Sequence, residues 1–275
     1  MQEIELIGLS IILITLIVSY QGIKNSSFFD KYSFQVDKIL KEKDYKRFIT
    51  SSFLHVSWMH LLFNMMAFYS FSEGLGMMVG GLRLLLIYVG SIIGGDLFSL
   101  YIHRNHPDYT SAGASGGICG LMFASIGLFP DMQIGIFMTP FSLPGWAYGF
   151  LFVLISIYGI KSQRGNIGHE AHLGGGVIGL IIALIMVPES FINNMVPILF
   201  ILVPTLVFIY YIIARPGFLL FPNWEDQGLL TKEDKYNAAK RAKEKEIDRL
   251  LDKINKKGMD QLSEKEKERL KQLSE

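Results

Sequence analysis

The sequence predicts an all-α fold, a polytopic membrane helix bundle followed by a short helical tail, and three observations carry that prediction. Half of the 275 residues are hydrophobic and only 19% are charged. Those charges are unevenly placed: 14 Lys/Arg and 13 Asp/Glu fall between Glu225 and Glu275, so the rest of the chain is far more apolar than the average. That apolar part is divided into runs of the length needed to cross lipid, about 20 helical residues for a hydrocarbon layer ~30 Å thick. The net charge of +1 decides nothing here, because the local pattern of charge outweighs the sum.

Seven candidate spans follow in order, at residues 4–20, 57–75, 82–102, 115–129, 145–160, 172–187 and 196–214. The first follows an acidic start, Met1-Gln2-Glu3-Ile4-Glu5, which lacks the basic region of a secretory signal. No small-residue cleavage site comes after it, and it reads as a retained span. Residues 21–55 hold Phe28, Phe29, Tyr32, Phe34 and Ile39 among seven Lys/Arg, a mixture expected of a folded segment lying at the membrane interface. The fourth span is short, and short spans in a bundle end below the lipid surface under a water-filled depression. Gly175 and Gly179, four apart on one face of the sixth span, allow close helix approach. Ordinary packing explains that pair as well as any catalytic purpose does.

The chain divides into a membrane domain, residues 1–215, and a charged tail, residues 216–275. In the tail Ile247, Leu250, Leu251 and Ile254 follow helical spacing, Gly258 suits a C-cap, and Ser263-Glu264-Lys265-Glu266 has capping-box form. Two short amphipathic helices in a hairpin are expected, with too little core to stand without docking. Basic residues there are interleaved with acids, which is no nucleic-acid signature. The single cysteine, Cys119, excludes an intrachain disulfide and is expected to be buried among apolar groups.

Chemistry concentrates at Gly113-Ala114-Ser115-Gly116, a small-residue turn opening the fourth span. A serine hydroxyl is a weak nucleophile until a base takes its proton. His172, at the head of the sixth span, is the natural base. All six histidines, His55, His60, His103, His106, His169 and His172, fall at three places on the same side of the membrane, two helices apart each time. Ionisable groups near membrane depth are functional suspects by default. His60 and Asn64 lie four apart on one helical face and are donors suited to a developing oxyanion, as are backbone N–H groups around Ser115. As interhelical glue they would need no catalytic role.

Together, His55…His60-Leu61-Leu62-Phe63-Asn64, then Gly113-Ala114-Ser115-Gly116, then Ala171-His172-Leu173-Gly174-Gly175 resemble the rhomboid intramembrane serine proteases over residues 40–187. The resemblance implies a six-helix core with a seventh, C-terminal span. It implies Ser115 as nucleophile and His172 as general base, in a dyad without an acid and without metal or cofactor. His60, Asn64 and Gly113 would shape the oxyanion site. Beside these, His169 is expected behind the dyad or in its loop, His55 as support for the first loop, Arg47 as a further residue behind the site, and His103 and His106 at the surface. Implied substrates are single-span membrane proteins cut in or near their spans, with the protein seated in a bacterial inner membrane. Two departures stand out: Cys119 occupies the place where the family often has an aromatic stacked on the catalytic histidine, and Lys46-Arg47 replaces a Trp-Arg pair. The tail resembles a small module carried by some bacterial rhomboid-like proteins.

Family topology opens the active site to the outside, whereas the Lys/Arg distribution argues the reverse, since only Arg83 lies on the face opposite Ser115. Other functions compete with the protease. One is a catalytically inactive rhomboid-like binder of transmembrane clients, another a serine hydrolase acting on lipid esters. A third, a histidine-based membrane metalloenzyme, is weakened because His169 and His172 are three apart, not the four a zincin helix requires.

Overall fold

Apolar runs with few charges fold here as long helices, and polar turns separate them. The computed structural model describes residues 2–135, 139–162 and 167–214, with scattered positions between 246 and 270. It forms two units, residues 1–223 and 224–275. In the first, α1 (Gln2–Lys24) leads into a string of short elements: α2 (Ser26–Tyr32), β1 (Phe34–Gln35), α3 (Val36–Glu42) and α4 (Arg47–Thr50). The bundle continues with α5 (Trp58–Val79), α6 (Gly81–His103), β2 (Thr110–Ser111) and α7 (Ser115–Leu128). A small hairpin, β3 (Gln133–Gly135) and β4 (Ser142–Pro144), precedes α8 (Gly145–Ser162), α9 (His169–Met186), α10 (Glu189–Asn193) and α11 (Met195–Ala214).

The protein is an integral, multi-pass membrane protein. Helices α1, α6, α9 and α11 are each long and apolar enough to cross a bilayer, while α7 and α8 are shorter apolar helices. Side chains facing lipid need no polar partner, so Leu13, Leu86, Ile155, Ile185 and Val207 sit exposed on the outside of the bundle. Helix α7 is different: every residue from Gly116 to Leu128 is buried. It runs through the middle of the bundle, packed by α5, α6 and α9. Fourteen residues make a helix about 21 Å long, well short of the ~30 Å hydrocarbon thickness.

The segment between α1 and α5 is folded, as its aromatics suggest. Phe34, Val36 and Ile39 are buried and pack with Phe48, Leu100 and Tyr109. Asn25 caps α2 by accepting the Phe28 N–H, at 3.1 Å, and Lys43 ends α3 in the left-handed region at φ 57°. Strand β1 pairs antiparallel with β2, Phe34 opposite Ser111. Arg47 closes the structure from inside: its guanidinium donates to the carbonyls of Asp30 (2.8 Å) and Ser33 (2.6 Å) and to the Asp44 carboxylate (2.9 Å).

The start of α9 and the two small strand pairs differ from the sequence reading for physical reasons. Helix α9 starts at His169, not His172, because its polar first turn is helical although hydropathy alone places it in the loop. Neither two-stranded ladder was legible, since pairs this short depend on tertiary contacts for their existence. In the second unit, Leu250 and Leu262 are buried with Ile247, Ile254 and Leu270 around them. The capping box forms there: Glu266 Oε2 accepts the Ser263 N–H at 2.8 Å while Ser263 Oγ accepts the Glu266 N–H at 3.3 Å. Leu251 and Gly258 lie outside the described residues.

Candidate active site

Ser115 is the first residue of α7, so its hydroxyl stands at the end of a buried helix, where the opening N–H groups have no intrahelical acceptors. Ile118 N–H is the first to close on the helix, donating to the Ala114 carbonyl at 3.1 Å. His172 projects from the first turn of α9, and its Nε2 lies 2.6 Å from Ser115 Oγ. For the hydroxyl to donate to Nε2, the imidazole must carry its own proton on Nδ1.

Backbone contact between helices brings α7 and α9 close enough for this pair to meet. A side chain at Gly175 would meet the Gly116 carbonyl and lie 2.9 Å from the Ser91 carbonyl oxygen, while one at Gly179 would lie 2.6 Å from the Gly120 carbonyl carbon. The glycine spacing on α9 thus marks a backbone-to-backbone seam between α7 and α9 that begins beside the serine. Cys119 is buried, as expected. The aromatic neighbour that position 119 lacks is supplied elsewhere: Phe152 of α8 lies 6.2 Å from the His172 ring, and His169 lies edge-on at 6.1 Å.

Gly113 adopts φ 145°, a conformation that side chains rarely allow, and the space a Cβ would need is taken. Such an atom would lie 3.0 Å from His60 Cε1, 3.2 Å from His60 Nε2 and 3.8 Å from Ser115 Oγ. The His60 imidazole, the Gly113 backbone and the serine hydroxyl therefore border one small space. Ser57 caps α5 by accepting the His60 N–H at 3.2 Å, and Asn64, one turn on, donates from Nδ2 to the His60 carbonyl at 2.9 Å.

His55 does more than support the first loop. It is fully buried, its Nε2 accepts the Ala114 N–H at 3.4 Å, and its Nδ1 meets Ser19 Oγ of α1 at 2.9 Å. Ser19 in turn donates to the Phe53 carbonyl at 2.8 Å, so a neutral His55 with its proton on Nδ1 completes the chain. Burial, assisted by His60 close by, pushes the His55 pKa down from 6.5 to about 3. An unfolded chain binds a proton here near pH 6.5 and the folded chain does not until about pH 3. This contribution to stability is whole above pH 6.5 and is lost as pH falls toward 3, at a slope of at most about 1.4 kcal/mol per pH unit. The thermal midpoint in detergent is expected to drop between pH 7 and pH 5, and a His55→Asn variant to show a flatter profile over the same interval. Equal slopes in the two proteins would remove His55 from the account.

Three placements were not read from the sequence. Asp96, buried midway along α6, accepts from Ser51 Oγ at 3.2 Å, and the Ser51 carbonyl accepts the Gly113 N–H at 3.1 Å. An acid alone in an apolar span was the available signal. His103 is not a surface residue: it is buried, and its Nε2 lies 3.0 Å from the buried carboxylate of Glu170. Its neighbour His106 is half-buried, with Nδ1 3.3 Å from His103 Nδ1. Among the described residues, no group of three or more His, Cys, Asp or Glu is arranged to hold a metal ion. Arg47 belongs to the first-loop fold described above, and among the described residues no contact places it at Ser115 or His172.

Residues 42–189, more than half of the chain, match the rhomboid domain. The chain belongs to the rhomboid family. Residues 230–275 match DUF6576, a family of unknown function. Rhomboid protein 1, mitochondrial, of Saccharomyces cerevisiae is 33% identical over 150 residues, which are 52% of this chain and 43% of that one. The Bacillus subtilis protein YdcA is 33% identical over 146 residues, 52% of this chain and 68% of its own length. Rhomboid protease GlpG of Haemophilus influenzae is 30% identical over 137 residues, 49% and 66% of the two chains. The rhomboid match takes in Ser115, His172, His60, Asn64 and Gly113 together.

Proposed function

We propose that this rhomboid-family protein is an intramembrane serine endopeptidase that cleaves single-span transmembrane proteins through a Ser115–His172 dyad. The 2.6 Å approach of His172 Nε2 to Ser115 Oγ, between groups 57 residues apart, is the observation that carries the reading. Relatives named as proteases, GlpG of Haemophilus influenzae and AarA of Providencia stuartii, support it.

In the proposed reaction His172 Nε2 takes the hydroxyl proton as Ser115 Oγ attacks the scissile carbonyl carbon. Negative charge develops on the former carbonyl oxygen. In this reading it is met by the His60 imidazole and the opening N–H groups of α7, where the helix dipole also favours an anion, and by the Asn64 amide once that group turns from the His60 carbonyl. His172 returns the proton to the leaving amine, and water repeats the sequence to release the acyl group. Because α7 is short and starts at the serine, the chemistry lies beneath the lipid surface in a polar recess. A substrate helix must unwind locally to enter, since an intact helix satisfies its own carbonyls. By this reading the protein resides in a bacterial inner membrane with its active site facing outward.

The test is cleavage of a single-span substrate with one helix-destabilising residue, by purified protein in liposomes. Wild type is expected to cut it, with or without a metal chelator, and Ser115→Ala to leave it intact. Cleavage surviving Ser115→Ala, or abolished by the chelator, sinks the mechanism. A wild type that binds the substrate helix without cutting it would point to a client-binding role instead.

A further inference from the structure

Building on the protease reading, we infer that Glu170, held by His103 and Tyr109, is the positioning residue that sets His172 against Ser115. Helix α9 opens at Gly168, which has no side chain to cap it, and the Glu170 carboxylate grips that first turn from the side. Oε1 of Glu170 is shared by two donors, His103 Nε2 at 3.0 Å and the Tyr109 hydroxyl. His103 is the last residue of α6, and its ring stacks flat on Tyr109, with centroids 3.6 Å apart and planes 8° from parallel. Tyr109 is itself fixed to the first-loop fold: its carbonyl accepts the Val36 N–H at 3.2 Å, and its ring meets Phe34 edge-on at 6.2 Å.

The geometry makes this clamp specific to the base. Residues 170 and 172 are about 200° apart around a helix, so one faces α6 while the other faces α7. Any roll of the first turn that loosens Glu170 from His103 swings the imidazole away from the hydroxyl. Backbone contacts hold this end of α9 as well, Ala171 against Gly95 of α6 and Gly116 of α7 and then Gly175 a turn on, and the carboxylate stands where α2 and α5 have a side-chain cap. A buried carboxylate with two charge-assisted donors is costly to leave half-satisfied, so the arrangement favours one rotational setting of α9. His103 donating from Nε2 leaves Nδ1 to accept from His106, and the chain runs from a half-buried residue to the base-bearing helix. Glu170 does not touch the reacting atoms; it acts through the helix that carries His172.

The experiment uses the full chain in detergent and reads the dyad directly, through the rate at which a fluorophosphonate probe labels Ser115. Cleavage kcat and KM for the single-span substrate are measured alongside. Glu170→Ala is expected to lower the labelling rate and kcat together by about 10- to 100-fold, the penalty of a base displaced by an ångström, with KM within about two-fold of wild type. Glu170→Gln, which keeps an accepting oxygen, is expected to fall between Glu170→Ala and wild type. Tyr109→Phe removes one hydroxyl and keeps the ring stack, so it tests the clamp even where Glu170→Ala fails to fold. Its expected loss is about three- to ten-fold. Labelling and kcat within about two-fold of wild type in Tyr109→Phe and in a folded Glu170→Ala, or a loss confined to KM, would overturn the inference. Failure of wild type to label at Ser115, or labelling that persists in Ser115→Ala, would instead count against the dyad itself.

Discussion

Replacing His172 by alanine is expected to lower kcat by about 10⁴- to 10⁶-fold, and adding Ser115→Ala is expected to lower it no further. The reason is that a serine hydroxyl and its base act as one unit. Without the imidazole the alcohol keeps its proton, and without the alcohol the imidazole has nothing to activate. Their contact at 2.6 Å leaves no room for a water between them, so the proposed proton transfer is direct. The residual rate in all three variants should then be equal, since it comes from the oxyanion donors and substrate binding alone. Single-turnover cleavage by the two single variants and the double variant measures this. Losses that multiply would mean that the groups act separately, and a His172→Ala variant within tenfold of wild type would place the base elsewhere.

That Ser115 and His172 would meet was legible, and the contacts of Glu170 were not, because the two cases leave different marks in local sequence. Close approach of the two helix ends needs small neighbours, and that demand leaves marks in local sequence: Gly113, Ala114 and Gly116 around the serine, Gly174 and Gly175 after the histidine. The helices were legible from hydropathy because lipid imposes a length and a composition on anything that crosses it. Buried polar partners carry no such mark. His103 reads as a surface residue because Glu170, the group that satisfies it, lies 67 positions away in sequence. His169-Glu170-Ala171-His172 was weighed only as a failed zinc motif, and its acid went unexplained until the first turn of α9 was seen to be helical. Asp96 was passed over for the same reason: its partner Ser51 lies in a different element, 45 positions earlier. The first loop shows the opposite case, in which its aromatics predict a folded segment but the internal arginine staple by Arg47 emerges only from the contacts.

A single methyl group at position 175 is expected to do more damage than its size suggests. Gly175→Ala would place a Cβ against the Gly116 carbonyl and 2.8 Å from its carbon, with the Ser91 carbonyl oxygen 2.9 Å away. These are backbone atoms of two neighbouring helices, α7 and α6, and neither can rotate out of the way. The helices must separate, at an overpacking cost of about 1–3 kcal/mol. Gly90→Ala makes the fitting contrast, because its Cβ would meet only the terminal methyl of Ile182, which can turn aside. Both glycines lie on the α6–α9 side of the bundle, and both substitutions favour the helix by propensity, by roughly 1 kcal/mol. Gly175→Ala is therefore expected to lower the thermal midpoint in detergent and to cut kcat by about 100-fold, because a shift of about 1 Å between α7 and α9 opens the serine–histidine contact. Gly90→Ala is expected to leave both quantities close to wild type. Should Gly175→Ala keep the wild-type kcat despite a lowered midpoint, the α7–α9 seam would be holding the bundle together without setting the dyad, and the alignment of His172 would rest on its first helical turn alone.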